Sequence, residues 1–277
     1  MTLRGAHLSD RGVVRVGGED ATSFLQGLLT NDVERLQPGE ARYGALLTPQ
    51  GKILFDMLIA RIPAETGAAF LLDCAASQAA DLAKRLGFYK LRAKVIIGDE
   101  SAALGVVAIW GGASENAPGD VVYRDPRDSR LGWRRILPRA EAVALGETDA
   151  SEYEALRIGV GAPKGGVDFA YGDAFPHDAN LDLTNGVDFE KGCYVGQEVV
   201  SRMRHRGSAR KRVAKVRVEA PAPAPGTPIL DGALAVGTLG SSSGREALAL
   251  VRLDRVEEAK AAGRSLSAGG VGIAVVD

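Results

Sequence analysis

The sequence predicts an α+β fold with a small β-barrel at its C-terminus, on three patterns. Between residues 52 and 110, two β-rich runs, an alanine-rich helical stretch and two further β-rich runs follow one another. From 213 onward the chain breaks into short strands separated by Gly, Ser and Pro, the pattern of a small barrel. Between these regions, residues 159–190 are glycine-rich and irregular, a length that commonly marks function.

Taken in order, GVVRV (12–16) is the first β-rich run. In ATSFLQGLLTNDV the apolar residues at 21, 24, 25, 28 and 29 share a helical face, with Asp20 placed to cap its start. YGALLT (43–48) and KILFDMLIARI (52–62) flank Pro49-Gln50-Gly51 and read as a hairpin. AAFLLDC (68–74) is a strand and AASQAADLAKRL a helix, followed by strands LRAKVII (91–97) and LGVVAIW (104–110). GGASENAPGD is a turn-rich linker, and VVYRDPRDSRLGWRRIL a pair of strands around a turn. Ser151 with Glu154 matches a capping box opening a helix to Ile158. VGQEVVSRM (195–203) has helical apolar spacing, starting just after Cys193. The tail supplies VAKVRVEA, PILD, ALAVGTLGS, EALALVRL and GIAVVD, with PAPAPGTP (221–228) as a stiff surface loop.

A chain of 277 residues has room for two domains or three small ones. Its 45% hydrophobic and 25% charged residues, with a formal net charge of −1, suit a soluble globular protein and exclude one that coats nucleic acid over its whole surface. No apolar run reaches the length of a membrane span, and MTLRGAHLSDRGVVRVGG has no apolar signal core. These features point to the cytoplasm and no membrane partner. There, Cys74 and Cys193 stay free thiols.

The densest cluster of chemistry is KGCYVGQE (191–198). A cysteine at a helix start gains from the dipole, and Lys191 and the downstream arginines would add positive charge beside its thiolate. RMRHRGSARKR (202–212) carries Arg202, Arg204, His205, Arg206, Arg210, Lys211 and Arg212 without an acid. It reads as a solvated face, or as a site for phosphates, carboxylates or an RNA backbone. In PHDANLD (176–182), Asp178 would accept paired N–H bonds from a guanidine-like edge and Asn180 would add a donor and an acceptor. The alternative is an Asx-type turn. His7, His177, His205 and the two cysteines lack metal-ligand spacing, and GVGAPKGG (159–166) lacks the glycine positions of a nucleotide-binding loop.

KGCYVGQE with its arginine-rich continuation resembles the signature of the YgfZ/IBA57 family of folate-binding proteins, relatives of the glycine-cleavage T-protein (aminomethyltransferase). FLQGLLTNDV (24–33), the LTPQGK turn, LRIGVGAPKGGVDF (156–169) and PHDANLD follow in the family's order, so the likeness spans nearly the whole chain. It implies three domains around a central folate-binding opening. These are a first domain split into 1–47 and 119–204, an inserted α+β domain at 48–118 with an antiparallel sheet, and a C-terminal barrel at 205–277.

The resemblance also implies a tetrahydrofolate-binding accessory factor for assembly or repair of iron–sulfur proteins, with indirect effects on tRNA modification. Its partners would be assembly proteins or client enzymes, with direct tRNA contact a minor alternative. Cys193 is then the signature thiol and the expected catalytic group. Asp178, Asn180, Asn31, Lys191, Tyr194, Gln197 and Arg202 are expected near the folate; it is their charge, rather than the resemblance, that places Arg202 and its neighbours Arg204 and Arg206 at its anionic tail. No metal is expected to be held by this chain alone. One departure matters: T-proteins tend to carry paired acids where GKILFDML has Phe55 and a single Asp56. An apolar ring there cannot shuttle a proton, which weighs against the alternative activity, tetrahydrofolate-dependent aminomethyl or methyl transfer.

Overall fold

The computed structural model describes residues 3–112, 121–146, 148–206, 210–219 and 221–276. Strands β1 (Arg4–His7) and β2 (Arg11–Gly18) begin the chain but enter different sheets. Helix α1 (Ala21–Gln26) is shorter than its apolar spacing predicts. Gly27 ends it, and Leu28 and Leu29 are buried in the turn beyond. Asp20 precedes the helix without capping it; its carboxylate accepts from the Lys94 backbone N–H at 2.7 Å. The expected hairpin forms from β3 (Ala41–Leu47) and β4 (Ile53–Ile62), with Gly51 at φ +82° in the left-handed region that glycine occupies without strain.

β5 (Ala68–Ala75), helix α2 (Ala79–Lys90) and β6 (Ile96–Asp99) follow. The resulting sheet is antiparallel, in the order β3-β4-β5-β2-β6. Residues 91–95, expected within a strand, turn instead between α2 and β6. One face of the sheet buries Phe70 and Leu72 with Leu82 and Leu86 of α2. The other buries Leu58 and Leu71 with Val106 and Ile136 of a second sheet. That sheet joins β1, β7 (Leu104–Trp110), β9 (Trp133–Pro138) and β8 (Val121–Arg124), in that order.

The expected insertion at 48–118 is therefore not a separate unit. Its boundary cuts the β3–β4 hairpin, β5 and β6 pair with β2, and β7 pairs with β1. A strand satisfies its backbone groups by pairing with neighbours, and here β5, β6 and β7 find theirs in the N-terminal segment. The boundary at 118–119 and most of the GGASENAPGD linker lie outside the described residues.

Helix α3 (Arg139–Leu145) precedes α4 (Ala150–Val160). Asp149, not Ser151, caps α4 by accepting from the Ser151 N–H, and Gly161 closes it at φ +80°. Glu154, the expected box partner, instead accepts from Arg157 at 2.8 Å. Helix α5 (Gln197–Arg206) spans the expected barrel boundary at 204–205.

The barrel itself is closed, in the order β10-β13-β12-β11-β14-β15. Its strands are β10 (Lys211–Val218), β11 (Pro228–Asp231), β12 (Leu234–Ser243), β13 (Glu246–Arg252), β14 (Leu266–Ala268) and β15 (Val271–Val275). Between β13 and β14 lies α6 (Leu253–Ala261), a helix the strand reading missed, with Ala259 in the barrel core.

Buried charge ties the barrel to the rest. Arg157 of α4 donates to Asp168 at 3.0 Å and to the Ser241 hydroxyl of β12 at 2.7 Å. Asp168 also accepts from the Ser241 N–H at 2.6 Å. A second seam runs along β10: the Val213 N–H donates to the Asp178 carbonyl, and the Asn180 amide to the Val213 carbonyl.

Candidate functional site

The turn after α1 and the glycine-rich loop before α5 are stitched into one wall. Thr30 Oγ1 donates to the Gly186 carbonyl at 2.6 Å, and the Asp188 N–H donates to the Thr30 carbonyl. Asn31 spreads its amide between two strands of chain, Nδ2 donating to the carbonyls of Tyr43 and Asn185 at 2.7 and 2.6 Å. The strongest tie is Lys191. Its buried Nζ donates to the carbonyls of Gln26, Leu29 and Asn31 at 2.8, 2.6 and 2.9 Å. It also lies 5.2 Å from the Tyr194 ring centroid. Burial lowers its pKa to about 8, which leaves it mostly charged at neutral pH.

In front of this wall is a cleft of about 480 Å³, lined by Asn31, Arg42, Asn185, Asp188, Phe189 and Arg204 among others. The Arg204 guanidinium lies 4.1 Å from the Phe189 ring centroid, a close cation–π stack. Past Arg42 and Asn185 the hollow continues for about 490 Å³ to Trp133, which carries the Arg124 guanidinium 5.6 Å from its ring. A larger cleft, about 720 Å³, opens at the far edge of the five-stranded sheet beside Arg15, Ile96 and Glu100. It holds none of the motif residues, so volume does not select it.

Behind the cleft is an orphan. His177 is 4% exposed, and among the described residues neither of its ring nitrogens has a hydrogen-bond partner. Its ring centroid lies 6.2 Å from that of Phe189. Burial lowers its pKa below the usual histidine value, and Asp182 and Arg212 face it with opposing effects. These two pair with each other at 2.9 and 3.0 Å.

The residues expected from sequence divide among several places. Asn31 and Arg204 line the cleft, while Lys191 and Tyr194 are buried in the adjoining segment. Asp178 and Asn180 sit at the barrel seam. Asp178 accepts from the Phe175 N–H at 3.0 Å and its pKa is raised by burial; Asn180 is at φ +59° and accepts from Arg212 as well as donating to β10. Gln197 begins α5, and exposed Arg202 pairs with Glu198. Arg206 ends α5, and its side chain lies outside the described residues, as do residues 207–209.

Cys193 is exposed. The expectation that a helix start and Lys191 act on its thiol is corrected. Tyr194, Val195 and Gly196 separate it from α5, beyond the first-turn reach of the dipole, and the Lys191 ammonium is spent on three carbonyls. The other thiol, Cys74, is buried, and its pKa is pushed up to about 12.

Asp56 is buried and doubly engaged: it accepts from the Tyr43 hydroxyl at 2.9 Å and the Tyr171 hydroxyl at 2.5 Å. Phe55 points the other way, into the core with Leu46 and Leu72. Arg42, Asn185, Phe189 and the buried state of His177 were not singled out from sequence. The only signal was that three of them fall in or beside the irregular 159–190 stretch.

Residues 6–138 match the family described as the GCVT N-terminal domain, and residues 210–277 match the CAF17 C-terminal beta-barrel domain. The solved aminomethyltransferase T of the Bartonella henselae glycine cleavage system superposes with a TM-score of 0.79. It does so at 19% identity over 99% of this chain and 85% of that one, a likeness of fold. The mouse iron–sulfur cluster assembly factor IBA57 is 36% identical over 90% of this chain and 78% of its own length, and the human one 33% over the same shares. The Mycosarcoma maydis homologue is 38% identical over 76% of this chain, which spans 56% of that relative's length. All three are named mitochondrial proteins, which overturns the cytoplasmic expectation. Identity of this extent across nine-tenths of the sequence, on a T-protein fold with a closed C-terminal barrel, places the chain in the IBA57 family.

Proposed function

We propose that the chain is a tetrahydrofolate-binding accessory factor in the assembly or repair of iron–sulfur proteins. It would hold the folate in the cleft lined by Asn31, Asn185 and Arg204, where the Phe189 ring rests in the free protein. The relatives' name supports the iron–sulfur role, with the cluster as cargo and not as a resident group. The stack of Arg204 on Phe189 supports the ligand by showing that the guanidinium takes a flat ring against its face. A flat heterocycle with a carboxylate tail suits the Arg204 face at one end and the Arg42 and Arg124 side at the other. The orphaned His177 nitrogens beside Phe189 give a ligand with polar ring edges a further partner.

Bound tetrahydrofolate would supply a carrier of one-carbon units. The chain's own residues would orient it: Asn31 and Lys191 keep the wall in place, and Asp178 and Asn180 hold the loop that carries His177. Cys193 follows the cleft-lining segment 187–190 in the chain and is exposed to incoming partners. Effects on tRNA modification would then be indirect, through iron–sulfur enzymes that modify tRNA.

The test is anaerobic calorimetric titration with tetrahydrofolate. Arg204→Ala is expected to bind about tenfold more weakly, the scale of a desolvated cation–π contact. Wild-type protein that binds no folate would end the reading. A second reading, aminomethyl or methyl transfer, rests on the match to the GCVT N-terminal domain. Asp56 argues against it, because both of its oxygens already accept tyrosine hydroxyls. Turnover of a methylamine donor with tetrahydrofolate would reinstate it.

A further inference from the structure

Among the described residues, the His177 imidazole behind the cleft has no hydrogen-bond partner on either nitrogen. A neutral imidazole carries one donor and one acceptor, and burying both without partners is costly. Native proteins rarely leave such a group unexplained. Its charged neighbours do not serve it, since Asp182 and Arg212 are engaged with each other. What covers it on the cleft side is Phe189, half-buried, tilted 47° to the imidazole.

The backbone on either side of Phe189 is pinned. The Asp188 N–H donates to the Thr30 carbonyl, and the Asp188 carboxylate accepts from the N–H groups of Glu190 and Lys191 at 2.8 and 3.1 Å. The ring itself makes no hydrogen bond and is held by packing, against the edge of the main hydrophobic core as well as beside the buried imidazole and the Arg204 guanidinium. Rotation about its side-chain torsions thus moves the ring without moving the loop.

We infer that Phe189 is a displaceable stand-in for a ligand's flat ring, and that His177 is the specificity residue behind it. A planar heterocycle enters between Arg204 and His177 as Phe189 turns aside, and its polar edge makes the hydrogen bond that the imidazole lacks. The slot would take a ring with a donor or acceptor edge in preference to a plain aromatic ring, because only the former relieves the buried nitrogens. This inference rests on the folate reading and assigns the heterocyclic end of that ligand to His177.

The experiment combines calorimetry with tetrahydrofolate and thermal melts of the ligand-free proteins, for wild type, His177→Leu, His177→Gln and Phe189→Leu. His177→Leu is expected to melt at or above the wild-type temperature, since an orphaned polar group is replaced by an apolar one. It should bind at least tenfold more weakly, with partial recovery in His177→Gln. Phe189→Leu removes the competing ring and is expected to bind several-fold more tightly. Should His177→Leu lower the melting temperature, Phe189→Leu decides: unchanged affinity there overturns the proposal. Unchanged affinity in a stable His177→Leu protein overturns it directly and makes the imidazole a packing group. Failure of the wild type to bind removes the folate reading together with this one.

Discussion

Replacing Lys191 by methionine keeps the stem and removes the three N–H donors. The three backbone carbonyls of Gln26, Leu29 and Asn31 then lose their shared donor at 2.6–2.9 Å. An unsatisfied buried acceptor costs about 1–3 kcal/mol, so the three together would reach several kcal/mol. Relief from burying an ammonium, and water entering the gap, offset part of this, leaving a net loss of roughly 3 kcal/mol. For a chain of this size that is a fall of roughly 6–12 °C in melting temperature.

Because the ammonium points at the carbonyls, alkylation of Cys193 by iodoacetamide should change by no more than about twofold in the folded variant. Cys74 is buried with a raised pKa, so it contributes little background. Urea unfolding and alkylation kinetics on wild type and Lys191→Met check both statements. A variant as stable as wild type but alkylated tenfold more slowly would refute the structural role. It would restore the reading of Lys191 as activator of the thiol.

Other outcomes can be checked alongside. Cys193→Ser should keep wild-type stability and folate affinity while losing support of cluster-enzyme activity in cells lacking the native protein; full support would remove the thiol from the function. Gly240→Ala should destabilise the barrel seam, because a Cβ there would lie 2.3 Å from Asp168 Oδ1; a wild-type unfolding curve would contradict this. Arg127 and Arg134 hold the Asp125 carboxyl below the usual carboxylate range. Its contribution is therefore present above about pH 4 and lost as pH falls through the depressed value, and in Asp125→Asn the acid branch of the stability profile should flatten. For His177 burial lowers the pKa, so the unfolded chain takes up the proton first and stability falls as pH drops below about 6.5; His177→Leu should lack that fall.

Much of the fold could be read from local pattern. The β3–β4 hairpin, with Gly51 in its turn, and the short barrel strands are written in alternation and turn residues, which act over a few positions. Strand partnership is not local. β2 alone had no visible reason to sit between β5 and β6, and β7 none to leave its neighbours for β1, so the boundary at 48 was misplaced. Caps behaved similarly: Asp20 and Ser151 had the right chemistry, yet a partner from residue 94 took one and Asp149 replaced the other.

For the site, the sequence by itself determined the inventory: a rare cysteine motif, an arginine-rich run and a polar loop, in the order of a known family. Which groups face a ligand and which hold the frame was decided only in three dimensions. Lys191 and Asn31 look alike as ligand residues in a motif, but both are consumed by main-chain carbonyls brought in from α1, the turn beyond it, β3 and residue 185. His177 looks like an ordinary loop histidine until packing closes over it and leaves both nitrogens without partners among the described residues. Burial converts identical side chains into opposite roles, and burial is a property of the whole chain rather than of any segment of it.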